Sequence, residues 1–108
     1  MATIDDFKKI AIRVGKVVSA EPVPSSQKLL KLSVSFGEAG TRQILAGIAP
    51  YYPDLAMILG KKFAFVFNLE PRMLMGLESQ GMVLAAGESG AFSLLAVSDD
   101  VVEGSIVR

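Results

Sequence analysis

The sequence predicts an all-β fold, a small closed Greek-key barrel with one or two short helices and a C-terminal β extension. Its 108 residues contain about six short segments of strand character, separated by turns rich in Gly, Pro and Ser. One helical segment interrupts them between the third and fourth strands. That arrangement is typical of the oligonucleotide/oligosaccharide-binding (OB) fold.

The first twenty residues predict a short helix followed by a strand. Thr3 offers a capping side chain, and Asp5 and Asp6 place negative charge in the first helical turn, where the helix dipole favours it. β-branched residues follow soon after, so residues 10–20 predict a strand. Gly15 predicts a bulge or bend in it, because an interior glycine has no side chain to pack.

A hairpin and a second helix come after a Pro- and Ser-rich loop at residues 21–26. Apolar and polar side chains alternate over residues 30–36, which is the periodicity of a strand. A turn rich in glycine follows, and residues 41–48 predict the returning strand. Residues 50–59 predict a short helix that Gly60 ends.

The later strands are short and apolar. Residues 61–69 place Phe63, Phe65 and Phe67 on one face, and we interpret these rings as core rather than as a base-stacking platform. Residues 71–79 predict a connection with long side chains. Three further strands are predicted over residues 81–86, 91–97 and 105–107, within one domain that spans residues 1–108.

The absence of Cys and His limits the chemistry of this chain. There is no thiol nucleophile, no disulfide and no thiolate metal site, and the commonest general base is missing. The glycines are scattered and form no phosphate-binding loop. Ser79 has no base beside it, so it is not a nucleophile candidate. We therefore expect no catalytic residue, no metal and no cofactor.

Hydropathy and charge predict the cellular location and the partners of the protein. The N-terminus is polar and no apolar stretch approaches the ~20 residues of a membrane helix, which predicts a soluble, cytoplasmic protein without a membrane partner. A hydrophobic content of 51% is high for a small domain and favours a homodimer.

Residues 1–77 carry a net charge of +4 and residues 78–108 carry −4. Basic strand ends can converge to follow a phosphate backbone, or can simply block edge-to-edge aggregation.

Four segments together match the pattern of one known family. They are residues 6–7 with 12–17, residues 28–32, residues 42–48, and the run from Asn68 to Ala86 that begins Asn-Leu-Glu-Pro-Arg-Met. These segments resemble the tRNA-binding domain family, and the last is similar to its signature. Members occur in methionyl-tRNA synthetase, in free-standing dimeric tRNA-binding proteins, in the export chaperone CsaA and in the phenylalanyl-tRNA synthetase β chain.

The resemblance implies an OB barrel, a homodimer built largely through the C-terminal half, and recognition of tRNA by structure rather than by anticodon. The RNA contacts that it implies are Lys28, Arg42, Asn68, Arg72, Ser79 and Met82. Considered by residue type alone, the Asn68 amide can read a base edge or close a turn, and Met82 can contact a ligand or fill a core. The loop before Lys28 departs from the family, with Val-Pro-Ser-Ser-Gln where many members have His-Pro-Asn-Ala-Asp.

These observations predict a non-catalytic tRNA-binding module. It would deliver or retain tRNA for methionyl-tRNA synthetase, as an appended domain or a separate subunit. Its expected partners are tRNA, a second copy of the chain and an aminoacyl-tRNA synthetase catalytic domain. Two alternatives remain open: a CsaA-like chaperone that binds unfolded peptides, and a purely structural dimerisation domain.

Overall fold

A computed structural model describes all 108 residues, and it confirms the all-β class. Thr3 caps the one α-helix, α1 (Ile4–Lys8), and Asp6 completes the capping box. The strands are β1 (Ile12–Pro22), β2 (Leu30–Ser35), β3 (Thr41–Ala46), β4 (Lys62–Val66), β5 (Arg72–Leu74), β6 (Leu77–Ser79), β7 (Met82–Val83), β8 (Ala85–Glu88), β9 (Ala91–Leu94), β10 (Ala96–Val97) and β11 (Ile106–Val107). No helix in the structure has the length and apolar character needed to cross a bilayer.

Seven strands form one curled sheet around the core. Its order is β10–β4–β1–β2–β3, with β11 paired to β1 and β7 paired to β4, and all pairs are antiparallel. β2 shows the predicted alternation, with Leu30, Leu32 and Val34 buried and the residues between them partly exposed. Phe36 and Phe65 fill the inside of the curl. The result is a half-barrel of the OB-like type that the sequence predicts.

A hairpin closes the free edge of β3. The backbone N–H of Gln80 donates to the carbonyl of Gln43 (2.8 Å), so the chain leaving β6 is tied to β3. The connection predicted over residues 71–79 therefore contains two strands that the sequence did not predict, because β5 and β6 pair as a hairpin. Its turn places Met75 and Gly76 at φ +52° and +79°, the conformation that two-residue hairpin turns require.

Gly15 permits close packing and does not mark a bulge. β1 stays in register with β4 across Gly15, and the register shift against β2 comes later, after Val17. A Cβ at Gly15 would lie 2.5 Å from Cγ1 of Val34 and 2.8 Å from ring atoms of both Phe36 and Phe65. The glycine therefore lets two layers of the core approach each other.

The helix predicted over residues 50–59 is instead two 3₁₀ turns, at Ala49–Tyr51 and Leu55–Met57. Pro53 separates them, and a residue before proline is disfavoured from helical dihedrals. Tyr52 accordingly adopts φ −132° and ψ 65°, which ends the first turn.

The strands predicted over residues 81–86 and 91–97 are each divided in two. β7 and β10 share the outer edge of β4, which offers only five residues, whereas β8 and β9 form a separate hairpin beyond it. The prediction of continuous strands fails here because β4 is too short to pair with both along their full length.

Candidate nucleic-acid interface

Two clefts adjoin the β5–β6 hairpin and contain most of the sequence-predicted contacts. The first, which we call the Arg42 cleft, has a volume of about 380 Å³ and is lined by Arg42, Phe67, Asn68, Leu69, Glu70, Pro71 and Gln80. The second, the Met82 groove, has a volume of about 430 Å³ and is lined by Leu29, Leu45, Ala46, Gly47, Ile48, Arg72, Leu74, Met82, Val83, Ala85 and Phe92. The first cleft is mainly polar in its residues, and the second is mainly apolar.

Arg42 lies on the core-facing side of β3, at the end of the barrel. It pairs with the buried Val34, and residues paired across strands share a face of the sheet. Its guanidinium carbon is 3.5 Å from the centroid of the Phe67 ring, a close cation–π contact. Its Nη1 donates to the carbonyl oxygens of Phe67 and Gln80, the latter at 3.3 Å. The structure therefore holds this side chain in one orientation.

Arg13 lies against the same Phe67 ring, with its guanidinium carbon 5.0 Å from the centroid. It also donates to the carbonyl of Gly104 at 3.1 Å. Arg13 was not among the sequence-predicted contacts. Every second residue of a strand lies on the same face, and Gly15 and Val17 lie on the core side of β1. The sequence therefore indicated that the Arg13 side chain lies on the core side as well. Phe67, predicted as core, packs against the core cluster and the Phe36 ring, and it is half buried.

The Asn68 amide is engaged at both of its polar atoms. Oδ1 accepts from the backbone N–H of Ala11, and Nδ2 donates to the carbonyl of Lys9, each at 2.8 Å. These bonds join the end of β4 to the start of β1. The side chain thus acts as a structural tie that lines the Arg42 cleft, with its two polar groups already paired.

Ser79 is buried, with only 5% of its surface exposed. Its hydroxyl accepts from the backbone N–H of Leu45 at 3.0 Å and donates to the carbonyl of Gly81 at 3.2 Å. Its hydroxyl therefore links β3 to the end of the hairpin. The family resemblance implied that Ser79 contacts RNA.

Lys28, Arg72 and Met82 have exposed side chains. Arg72 and Met82 line the Met82 groove, and Leu29, which also lines it, directly follows Lys28. The Ser26 hydroxyl accepts from the backbone N–H groups of Lys28 (3.2 Å) and Leu29 (3.1 Å), so it supports the loop that departs from the family pattern. The groove thus brings Arg72 and Met82 together, and the exposed Lys28 is the sequence neighbour of a third lining residue, Leu29.

Two polar residues of the Arg42 cleft were not predicted as contacts. The side-chain oxygen of Gln80 accepts a hydrogen bond from the backbone N–H of Gln43 at 3.0 Å. Its backbone carbonyl accepts a hydrogen bond from Nη1 of Arg42. Glu70 is exposed at the mouth of the cleft. The only signal in the sequence was their position in the signature run, where Glu70 lies two residues after Asn68 and Gln80 directly follows Ser79.

An all-β half-barrel with exposed basic side chains beside two clefts fits the class of small nucleic-acid-binding domains. The model of the family described as "Putative tRNA binding domain" matches residues 12–106, and the chain belongs to that family. The match identifies a non-catalytic, tRNA-binding domain of the kind present in methionyl-tRNA synthetase.

The relatives include ligases several times longer than this chain and proteins of about its own length. The methionine–tRNA ligase of Caldanaerobacter subterraneus subsp. tengcongensis is 48% identical over 103 residues, which is 95% of this chain and 16% of that protein. The chain thus spans about one sixth of the length of such ligases. A MetRS-related protein from Pyrococcus horikoshii is 40% identical with a TM-score of 0.92, covering 100% of this chain and 98% of its own. The chaperone CsaA from Bacillus anthracis is 29% identical with a TM-score of 0.87, covering 100% and 99%.

Proposed function

We propose that residues 1–108 form a homodimeric, cytoplasmic tRNA-binding domain that retains or delivers tRNA for methionyl-tRNA synthetase. The observation that carries the proposal is the exposed basic pair Lys28 and Arg72 beside the Met82 groove, in a chain of the tRNA-binding family. The ligase relatives, of which the chain matches about one sixth, support the association with that enzyme.

Basic side chains on a rigid surface recognise RNA through its backbone and shape. Lys28 and Arg72 are free to neutralise phosphates, and each such contact releases counterions. Because phosphate contacts carry no sequence information, the preference among tRNAs would come from three-dimensional shape. Binding of this kind raises the local concentration of tRNA beside a catalytic domain, and the domain itself does no chemistry.

A second copy of the chain would cover apolar side chains of the C-terminal half. Large apolar residues stay exposed there outside the Met82 groove, and they are Met57, Leu59, Leu69, Met73, Met75, Leu95, Val102 and Ile106. Residues 78–108 carry a net charge of −4, which disfavours contact between that segment and phosphate. Sedimentation equilibrium tests this part of the proposal, and a monomer at micromolar concentration would contradict it.

Filter binding of tRNA over a salt series tests RNA binding. We expect affinity to fall steeply with salt, because the proposed contacts are to phosphates. Arg72→Ala should weaken binding and lower the salt slope by about one, as expected for the loss of one phosphate contact. Arg108→Ala, which removes an exposed arginine that lines neither cleft, is the matched control. An affinity that does not change with salt would contradict the proposal.

A chaperone function is the second candidate, and the Met82 groove favours it. Nine of the eleven residues that line the groove are hydrophobic, and the fold is shared with a CsaA chaperone. An extended apolar peptide segment would fit such a groove. Suppression of the aggregation of heat-denatured citrate synthase, by protein that shows no tRNA binding, would favour this function over the first.

A further inference from the structure

We propose that the Arg42 cleft binds one unstacked guanine base of the RNA, which Arg42 and Glu70 select together. The inference rests on the proposed function, because it assigns a base to the same RNA-binding surface. It differs from the phosphate contacts of Lys28 and Arg72, since it introduces base recognition at a defined place in the fold. The cleft, at about 380 Å³, has the size of a site for one small ligand.

Arg42 lines this cleft and keeps one pair of donors free of hydrogen bonds to the protein. Phe67 stacks under the guanidinium, and both hydrogen bonds from it to the protein use Nη1. Nε and Nη2, on the other edge of the planar group, make no hydrogen bond within the protein. Two parallel N–H groups therefore remain, and their position is fixed before any ligand arrives. Such a fork fits two adjacent acceptors, either on a phosphate or on a base.

The Glu70 carboxylate favours a base over a phosphate as the ligand of the Arg42 cleft. Arg42 is the only basic residue that lines the cleft, and Glu70 is the only acidic one. The Glu70 carboxylate is exposed and belongs to neither ion pair of the structure. A free carboxylate repels phosphate, whereas it accepts hydrogen bonds from the N–H groups of a base edge. The combination of one fork of donors with one carboxylate thus favours a base.

Guanine can form more hydrogen bonds with Arg42 and Glu70 than the other bases can. Its O6 and N7 are adjacent acceptors that match an arginine fork, and this is the commonest specific arginine contact with a base. Its N1–H and N2–H₂ groups are adjacent donors that match a carboxylate, and unpaired RNA exposes both edges. Cytosine offers a single donor group to Glu70, and uracil and adenine offer fewer complementary pairs. Four hydrogen bonds are available to guanine only.

Titration with nucleosides, followed by NMR of the Arg42 Nε–Hε and the Gln80 amide, tests this assignment on the full chain. Guanosine should shift both signals and saturate. Inosine lacks the 2-amino group, so it should bind about tenfold more weakly, the loss expected for half of a bidentate pair. Inorganic phosphate should leave both signals in place. Equal binding of guanosine, inosine and cytidine, or shifts with phosphate alone, would overturn the proposal.

A matched pair of variants isolates the carboxylate. Glu70→Gln should weaken guanosine binding about tenfold and abolish its advantage over inosine, because the amide replaces one of the two acceptor oxygens that face N1–H and N2–H₂ with a donor NH₂ group. Glu38→Gln, at an exposed acid in a different cleft, should change neither value. An unchanged preference in Glu70→Gln would refute the inference while salt-dependent tRNA binding still supported the proposed function. Guanosine binding without any tRNA binding would support the cleft assignment and refute the proposed function.

Discussion

Replacing Gly15 with alanine should distort the centre of the core. The added Cβ would lie 2.5 Å from Val34 Cγ1 and 2.8 Å from ring atoms of Phe36 and Phe65, all well inside the 3.4 Å at which ordinary contact begins. Val34, Phe36 and Phe65 are at most 1% exposed, so none of them can move outward freely. Overpacking of this kind costs about 1–3 kcal/mol, and alanine recovers only about 0.4–1 kcal/mol from the unfolded chain. From the middle of these two ranges, we expect a net loss of about 1.3 kcal/mol in the free energy of unfolding.

Gly47→Ala is the control for this substitution. A Cβ at Gly47 would meet no atom within 4 Å, and the φ of this residue is not positive. Alanine there should therefore leave stability unchanged or raise it by about 0.4–1 kcal/mol. Urea unfolding followed by far-UV circular dichroism, with all proteins at one concentration, measures both variants. A Gly15→Ala protein as stable as the wild type would refute the packing explanation. The same holds if both variants lose equal stability.

Two further substitutions test the hairpin. Ser79→Ala leaves the buried N–H of Leu45 without its acceptor and should lower the free energy of unfolding by about 1–3 kcal/mol, with tRNA affinity within twofold of the wild type at low temperature. Loss of tRNA affinity with full stability in urea unfolding would instead indicate a direct RNA contact. Met75→Asn places a residue that tolerates the left-handed region at φ +52° and should raise stability by about 0.5–1 kcal/mol. A lower melting temperature by differential scanning calorimetry would contradict the turn assignment.

Alternation was a reliable guide where one face of a strand is buried. β2 follows the predicted range closely, because its register is specified by the contrast between Leu32 and Val34 inside and Lys31 outside. The β5–β6 hairpin was missed since only three residues pair on each side, and such short segments give no clear period. Pro53 did indicate that the second predicted helix is interrupted, because the residue before a proline is disfavoured from helical dihedrals.

The family signature marked the right region of the chain, while the roles of its side chains needed the fold. Residue type gave no reason to expect that the Asn68 amide would bind Lys9 and Ala11, which lie 59 and 57 positions away. Ser79 likewise finds its partner Leu45 34 positions earlier. Hydrogen bonds of this separation depend on how strands are ordered in the sheet, and no local pattern encodes that order.

The sequence by itself determined the all-β class, the lack of thiol and imidazole chemistry, the opposite charges of the two halves and the membership of a tRNA-binding family. These properties depend on composition, on local periodicity and on the identity of consecutive residues. Only the tertiary structure decided which predicted contacts are open to RNA. Curling the sheet turns Arg42 onto Phe67 and buries Ser79, while it leaves Arg72 exposed beside the groove. The physical reason is that side-chain direction at a strand end is set by strands distant in sequence, through register and closure of the barrel.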